Sequence, residues 1–255
     1  MKKSTILIFL ILWIIAFYIA IIDFIVYSTA SPFDLFGYEL GGTFEGGISK
    51  FFSSLITFGS IILIAMILFI IENYITRNKK GLNNNIQNKG HKLFWNIIRL
   101  FTLLLFTFIS LPWIFALNGI YISDIPLLNM IFIAKKPGIG PYISEIEKYY
   151  PSVHLGEHHG FDGFIFITYA ILLSFLVYKM NNHGVKLISI YGLGCILSYG
   201  TIAVLEDFIR EQILKRGIYP LIYTSIKFMY EYILLFTIGL GCLYLLLNLI
   251  FEKYH

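Results

Sequence analysis

The sequence predicts an all-α fold, a polytopic integral membrane bundle of six transmembrane helices. Of its 255 residues, 58% are hydrophobic and only 13% are charged, against about 25% charged residues in an ordinary soluble domain. The apolar residues also form six long runs, and a helix needs about 20 consecutive apolar residues to cross a bilayer core. The runs lack the alternation of apolar and polar residues that is typical of lipid-facing strands.

The six runs define the expected spans of a single transmembrane domain that covers residues 1–255. The fourth run is the shortest, and the sixth is long enough to tilt or to extend beyond the membrane. The expected spans are 5–27, 52–74, 97–118, 163–180, 187–207 and 220–250.

The first run has some features of a cleavable secretory signal. Lys2 and Lys3 precede it, and Ser28-Thr29-Ala30 resembles a cleavage site. Its apolar core is longer than the roughly 7–15 residues of such signals, so we expect it to stay in the protein as a membrane anchor.

The distribution of basic residues predicts the orientation. The connections 75–99 and 179–186 contain lysine and arginine but no acid, and cytoplasmic connections are enriched in these bases. We therefore expect both termini in the cytoplasm of a multi-pass cell-membrane protein. Topology and anionic lipid headgroups explain the net charge of +4, so membrane lipids are expected partners and nucleic acid is not. The expected outer connections are 28–50, the long extracytoplasmic loop 119–162, and 208–219.

A histidine-rich segment, PSVHLGEHHGFDG (151–163), precedes the fourth span. His154, His158 and Asp162 are spaced four residues apart, so they would share one face of a helix. Two imidazoles and a carboxylate suit a divalent transition metal, most of all zinc, and His159 adjoins them as a further ligand. The segment therefore predicts a metal site.

The same segment has a second interpretation. Its glycines, Gly156, Gly160 and Gly163, each cost about 1 kcal/mol in a helix interior. They favour a loop in which Asp162 caps the start of the fourth helix. In the metal site, Glu157 would be a general base. The alternative is a solvated, histidine-rich loop that holds no metal.

Ionisable residues also occur at the expected outer ends of the fifth and sixth helices. The motif LEDFIRE contains Glu206, Asp207 and Arg210, and charged groups in membrane helices usually face an interior or a wet cavity. We therefore predict one shared site at the outer ends of the fourth, fifth and sixth helices, with Glu206 as a proton acceptor and Arg210 holding an anionic headgroup. The alternative is a set of helix-end charges that reach water, which is the interpretation favoured for Arg210 or Glu211 when each is taken alone.

The predicted function is metal-dependent hydrolysis or group transfer on a lipid-linked substrate at the outer membrane face. PSVH (151–154) resembles the Pro-Ser-Gly-His element of type 2 phosphatidic acid phosphatases, which are six-helix membrane enzymes, and Lys135-Lys136-Pro137 resembles their basic element. The resemblance implies that His154 binds phosphate or donates a proton without a metal. It covers four residues and the topology, with valine at position 153 in place of glycine, so we do not assign the chain to that family. The sequence is also compatible with an ion or metal transporter and with a non-catalytic membrane scaffold.

Two similar segments, YGLGCIL (191–197) and IGLGCLY (238–244), fall at matched depths in the fifth and sixth helices. Small residues at matched depth allow two membrane helices to approach closely. We therefore predict a close contact between these helices.

Overall fold

Six helices in the described part of the chain are long and apolar enough to cross a membrane, which confirms the predicted fold class. The structure, a computed structural model, describes residues 3–28, 44–77, 89–117, 133–134, 150–151, 159–214 and 221–253. The helices are α1 (Lys3–Ser28), α2 (Phe44–Arg77), α3 (Lys89–Leu117), α4 (His159–Val177), α5 (His183–Phe208), α6 (Ile222–Glu231) and α7 (Ile233–Lys253), and a π-helical turn, Ile209–Ile213, follows α5.

The last predicted span is divided into two helices. The backbone leaves the α-helical conformation at Tyr232, where φ is −110° and ψ is 34°. The membrane-spanning part is Ile233–Ile250 in α7, whereas α6 contains the charged residues Lys227 and Glu231. The division keeps these two charges off the span, which fits the high cost of charged groups in a membrane helix.

Helix α4 lies at the centre of the bundle. In the 18-residue membrane-spanning window of α4, 67% is buried inside the protein, whereas the corresponding share in α7 is 6%. Tyr169 in α4 is fully buried, and its hydroxyl donates a hydrogen bond of 2.8 Å to the carbonyl oxygen of Leu12 in α1. This bond satisfies the phenol inside an apolar core and joins α4 to the first helix.

Glycines allow two close helix contacts. A Cβ at Gly163 in α4 would lie 2.6 Å from the carbonyl oxygen of Gly200 in α5. A Cβ at Gly194 in α5 would lie 3.1 Å from the Cα atom of Gly241 in α7. The second contact confirms the predicted close approach of the two glycine-rich segments.

A short turn at residues 178–182 joins α4 to α5, and we call this side of the bundle the turn end. Glu72 in α2 is buried there, and its carboxylate accepts hydrogen bonds from the backbone N–H groups of Asn181 at 2.7 Å and Asn182 at 3.2 Å. The side chain of Asn182 in turn accepts from the N–H of Val185 at 3.1 Å, as expected for an N-cap residue. These bonds fix the start of α5.

The predicted outer loop contains a short backbone pairing. Strand β1 (Ile133–Ala134) pairs with β2 (Tyr150–Pro151) in antiparallel register, with Ile133 opposite Pro151. Strand propensity over two residues is too weak for the sequence to predict it.

Candidate functional site

Four ionisable side chains form the centre of the candidate site, and we call them the acid–arginine cluster: Glu206, Asp207, Arg210 and Glu211. The Arg210 guanidinium lies 3.5 Å from Glu206 (Nε to Oε1) and 3.1 Å from Glu211 (Nη1 to Oε1), and Nη2 also donates to the carboxylate of Asp207. The three acidic side chains are buried, whereas that of Arg210 is 35% exposed. One partly accessible cation is therefore surrounded by three carboxylates.

The cluster lies where α5 passes into the π-helical turn Ile209–Ile213. Its members are spaced i, i+1, i+4 and i+5, so that they project from one side of the helix. The fully buried Glu211 differs from the sequence expectation of a helix-end charge that reaches water.

The first turn of α4 contacts this cluster, and we call this side of the bundle the His159 end. The backbone N–H of Gly160 donates a hydrogen bond of 2.9 Å to Oδ2 of Asp207. A carboxylate is favoured at a helix N-terminus, where free N–H groups and the helix dipole are positive. Gly160 also lies against the indole of the buried Trp113, and a Cβ there would be 2.5 Å from the ring. A larger residue at position 160 would therefore push α4 away from Asp207.

Helix α6 contributes two tyrosines beside the cluster. Burial raises the pKa of Tyr230, and the negative charges of Glu206 and Asp207 add to the effect. Burial also raises the pKa of Tyr223, where Glu206 adds to the shift and Arg210 opposes it. Both phenols therefore keep their protons at neutral pH. No pattern in the sequence distinguishes these two tyrosines from the many others in the chain.

Four of the predicted site residues are described, and all four lie at the His159 end. Glu206 and Arg210 are in direct contact. His159 is the first residue of α4, and its exposed ring lies 5.5 Å from the ring of Tyr230. Asp162 lies in the first turn of the same helix. The remaining predicted residues lie outside the described residues: His154, Glu157 and His158.

The expectation that Asp162 caps the start of the fourth helix is wrong. The helix begins at His159, so Asp162 is already inside its first turn. Glycine lowers helix propensity, but Gly160 and Gly163 allow α4 to pack directly on neighbouring helices. This packing accounts for the earlier helix start.

The metal site stays a prediction. Within the residues that the structure describes, no three His, Cys, Asp or Glu side chains form a group that could hold a metal ion. The predicted ligands His154 and His158 lie beyond that range. In the acid–arginine cluster the carboxylates contact a guanidinium, and these four side chains carry a formal charge of −2 when all are ionised.

Comparison with known proteins gives no family assignment, because no protein-family model, no curated protein and no solved structure matches this chain.

Proposed function

We propose that this multi-pass membrane protein is an enzyme, a hydrolase or group transferase, that acts on a lipid-linked substrate at the His159 end of the bundle. The observation that supports the proposal is the acid–arginine cluster, with three buried carboxylates around Arg210. Ionisable groups inside membrane helices are costly and usually mark a functional site. A scaffold with no chemistry to perform would gain little from such a group.

The contacts suggest different roles for the cluster residues. Asp207 accepts from both Arg210 and the backbone of Gly160, so its role is to position α4 and the guanidinium. Glu206 contacts Arg210 at a longer distance of 3.5 Å, which leaves it the better proton acceptor. Arg210 is partly accessible and oriented by its carboxylates, so it is the residue that would contact a substrate headgroup.

The proposal includes a divalent metal, with zinc the first choice, held by His154, His158 and Asp162 and with His159 beside them. Such an ion lowers the pKa of bound water and supplies a nucleophile near neutral pH. The negative formal charge of the acid–arginine cluster favours a cation nearby. Glu157 and Glu206 are the proposed proton acceptors in this arrangement.

The metal is tested by elemental analysis of the detergent-purified full chain. We expect near-stoichiometric zinc that is lost in His154→Ala, His158→Ala and Asp162→Ala. His183→Ala, which changes an exposed histidine at the turn end, is the control and should keep its metal. If the native chain and the three variants are all metal-free after reconstitution, the metal site is refuted. The remaining hypothesis is then that His154 binds phosphate or donates a proton, as the resemblance to the phosphatases implies.

The catalytic role of the cluster is tested with fluorescent phosphatidic acid and a fluorescent diacylglycerol in mixed micelles. Glu206→Gln should lower turnover by about 10²- to 10⁴-fold, the usual contribution of a general base. Glu231→Gln is the matched control, because the side chain of Glu231 is 55% exposed on α6 and its loss should leave turnover unchanged. Equal turnover by the two variants would refute the role of the cluster.

Transport is the main competing function, because an acidic cluster also attracts cations. The described core between the acid–arginine cluster and Glu72 is mostly apolar, and its few polar side chains include the buried Ser110 and Ser174, which accepts a hydrogen bond of 2.8 Å from Arg99. It therefore supplies no continuous polar path of the kind a transported ion needs. Zinc uptake into proteoliposomes that requires Glu206, without turnover of either lipid, would favour the transporter.

A further inference from the structure

An apolar groove lies on the side of the bundle between α2, α4 and α5, in the half nearer the turn end. Its volume is about 380 Å³, within the range of about 300–1,000 Å³ that is typical of ligand sites. The floor is Leu173–Val177 of α4 and Met180 of the following turn, and the walls are Ile61–Phe69 of α2 and Ile188–Ile196 of α5.

The surroundings of the groove determine which ligand it suits. Its walls and most of its floor belong to membrane-spanning segments, so it is bordered by lipid hydrocarbon. Few polar atoms line it, and the hydroxyl of Ser189 already donates to the sulfur of Met180 at 3.5 Å. A water molecule needs two to four polar partners, whereas an empty groove would forgo dispersion contacts along its walls. A hydrocarbon chain needs no polar partners and makes dispersion contacts along the walls, so it suits the groove.

Basic residues lie along the chain at the turn end of the groove. Lys179 immediately precedes the lining residue Met180, and Lys186 precedes the lining pair Ile188 and Ser189. Basic groups between membrane helices favour anionic lipid headgroups.

We propose that this groove binds one acyl chain of an anionic phospholipid, whose phosphate contacts Lys179 and Lys186 at the turn end. The site is separate from the acid–arginine cluster, which lies at the opposite end of α5, and does not depend on the proposed function. The bound lipid would fill the space between α2 and α5 and join them through its chain.

The groove can be filled by one substitution that has a close control. Gly192 lines the groove, and a Cβ there would meet no atom within 4 Å, so Gly192→Leu extends into the groove without moving the backbone. Gly239 in α7 has equally open space and lies outside the groove. Gly239→Leu therefore makes the same chemical change, with the same gain in helix propensity, on another surface.

Native mass spectrometry of the full chain, reconstituted with dioleoyl phosphatidylglycerol or dioleoyl phosphatidylcholine, counts the bound lipid. The native chain and Gly239→Leu should retain one phosphatidylglycerol. Gly192→Leu should lower its affinity by at least about tenfold, which corresponds to about 1.4 kcal/mol. Equal retention by the two variants would overturn the proposal, and so would a native dimer that Gly192→Leu converts to a monomer without loss of lipid.

The headgroup preference has its own test. The double variant Lys179→Gln/Lys186→Gln should bind the two lipids equally, while the native chain prefers phosphatidylglycerol. Lys227→Gln, at an exposed lysine of α6, should keep the native preference. If the native chain itself binds both lipids equally, the proposed preference for an anionic headgroup is wrong.

Discussion

Removing the Glu72 carboxylate should destabilise the bundle more than removing any exposed acid. Its side chain is buried, and it accepts from the N–H of Asn181 at 2.7 Å and of Asn182 at 3.2 Å. A hydrogen bond to a charged group contributes about 1.5–3 kcal/mol, so the pair is worth about 3–6 kcal/mol. Glu72→Ala should lower the free energy of unfolding by about 3 kcal/mol, at the lower end of this range, because Asn181 is exposed and water can replace part of the lost hydrogen bonding.

Reversible unfolding in mixed micelles, with increasing dodecyl sulfate and tryptophan fluorescence as the signal, measures this loss. Glu231→Ala is the control, because Glu231 is 55% exposed and lies 3.9 Å from Lys227, and such surface pairs contribute about 0–1 kcal/mol. Glu72→Gln should fall between the two, since the amide keeps one acceptor oxygen. If Glu72→Ala and Glu231→Ala unfold at the same free energy, the carboxylate does not hold the start of α5.

Two further predictions use the same unfolding assay. Gly200→Ala should lower the free energy of unfolding by about 1–3 kcal/mol through overpacking, because its Cβ would lie 2.5 Å from the carbonyl oxygen of Gly163. Gly192→Ala, in open space on the same helix, is the control and should raise it by up to about 1 kcal/mol. Equal effects of the two substitutions would contradict the close contact between Gly200 and Gly163. Burial raises the pKa of Tyr230, so above about pH 10 the unfolded state loses a phenolic proton that the folded state keeps, and stability falls as the pH rises. Tyr230→Phe should reduce the loss of stability between about pH 9 and about pH 11, whereas Tyr232→Phe, at an exposed tyrosine, should leave it unchanged.

The number of spans could be predicted from the sequence because bilayer thickness fixes the length of an apolar run. The helix ends were less predictable. The start of α4 at His159 depends on glycines that cost helix propensity but permit packing against Trp113 and α5. The break at Tyr232 lies inside an apolar run, where no proline or glycine indicates it.

The candidate site was only partly predictable for a similar reason. Glu206 and Arg210 stood out because ionisable residues are rare in membrane helices, and the structure brings them into contact. The burial of Glu211 and the bond from Gly160 to Asp207 depend on how α4 packs on α5. A linear pattern does not contain the distance between these two helices.

The central position of α4 has a consequence for biosynthesis. The spans in α1 and α2 have mean hydropathies of 3.0 and 2.8, against 1.9 and 1.8 for those in α4 and α5. The first hairpin is therefore apolar enough to enter the bilayer by itself. The α4–α5 pair contains polar groups that bond to each other across the hairpin, such as the Gly160 N–H and Asp207. We therefore expect α4 and α5 to leave the translocation machinery together and to pack against helices that are already inserted in the membrane.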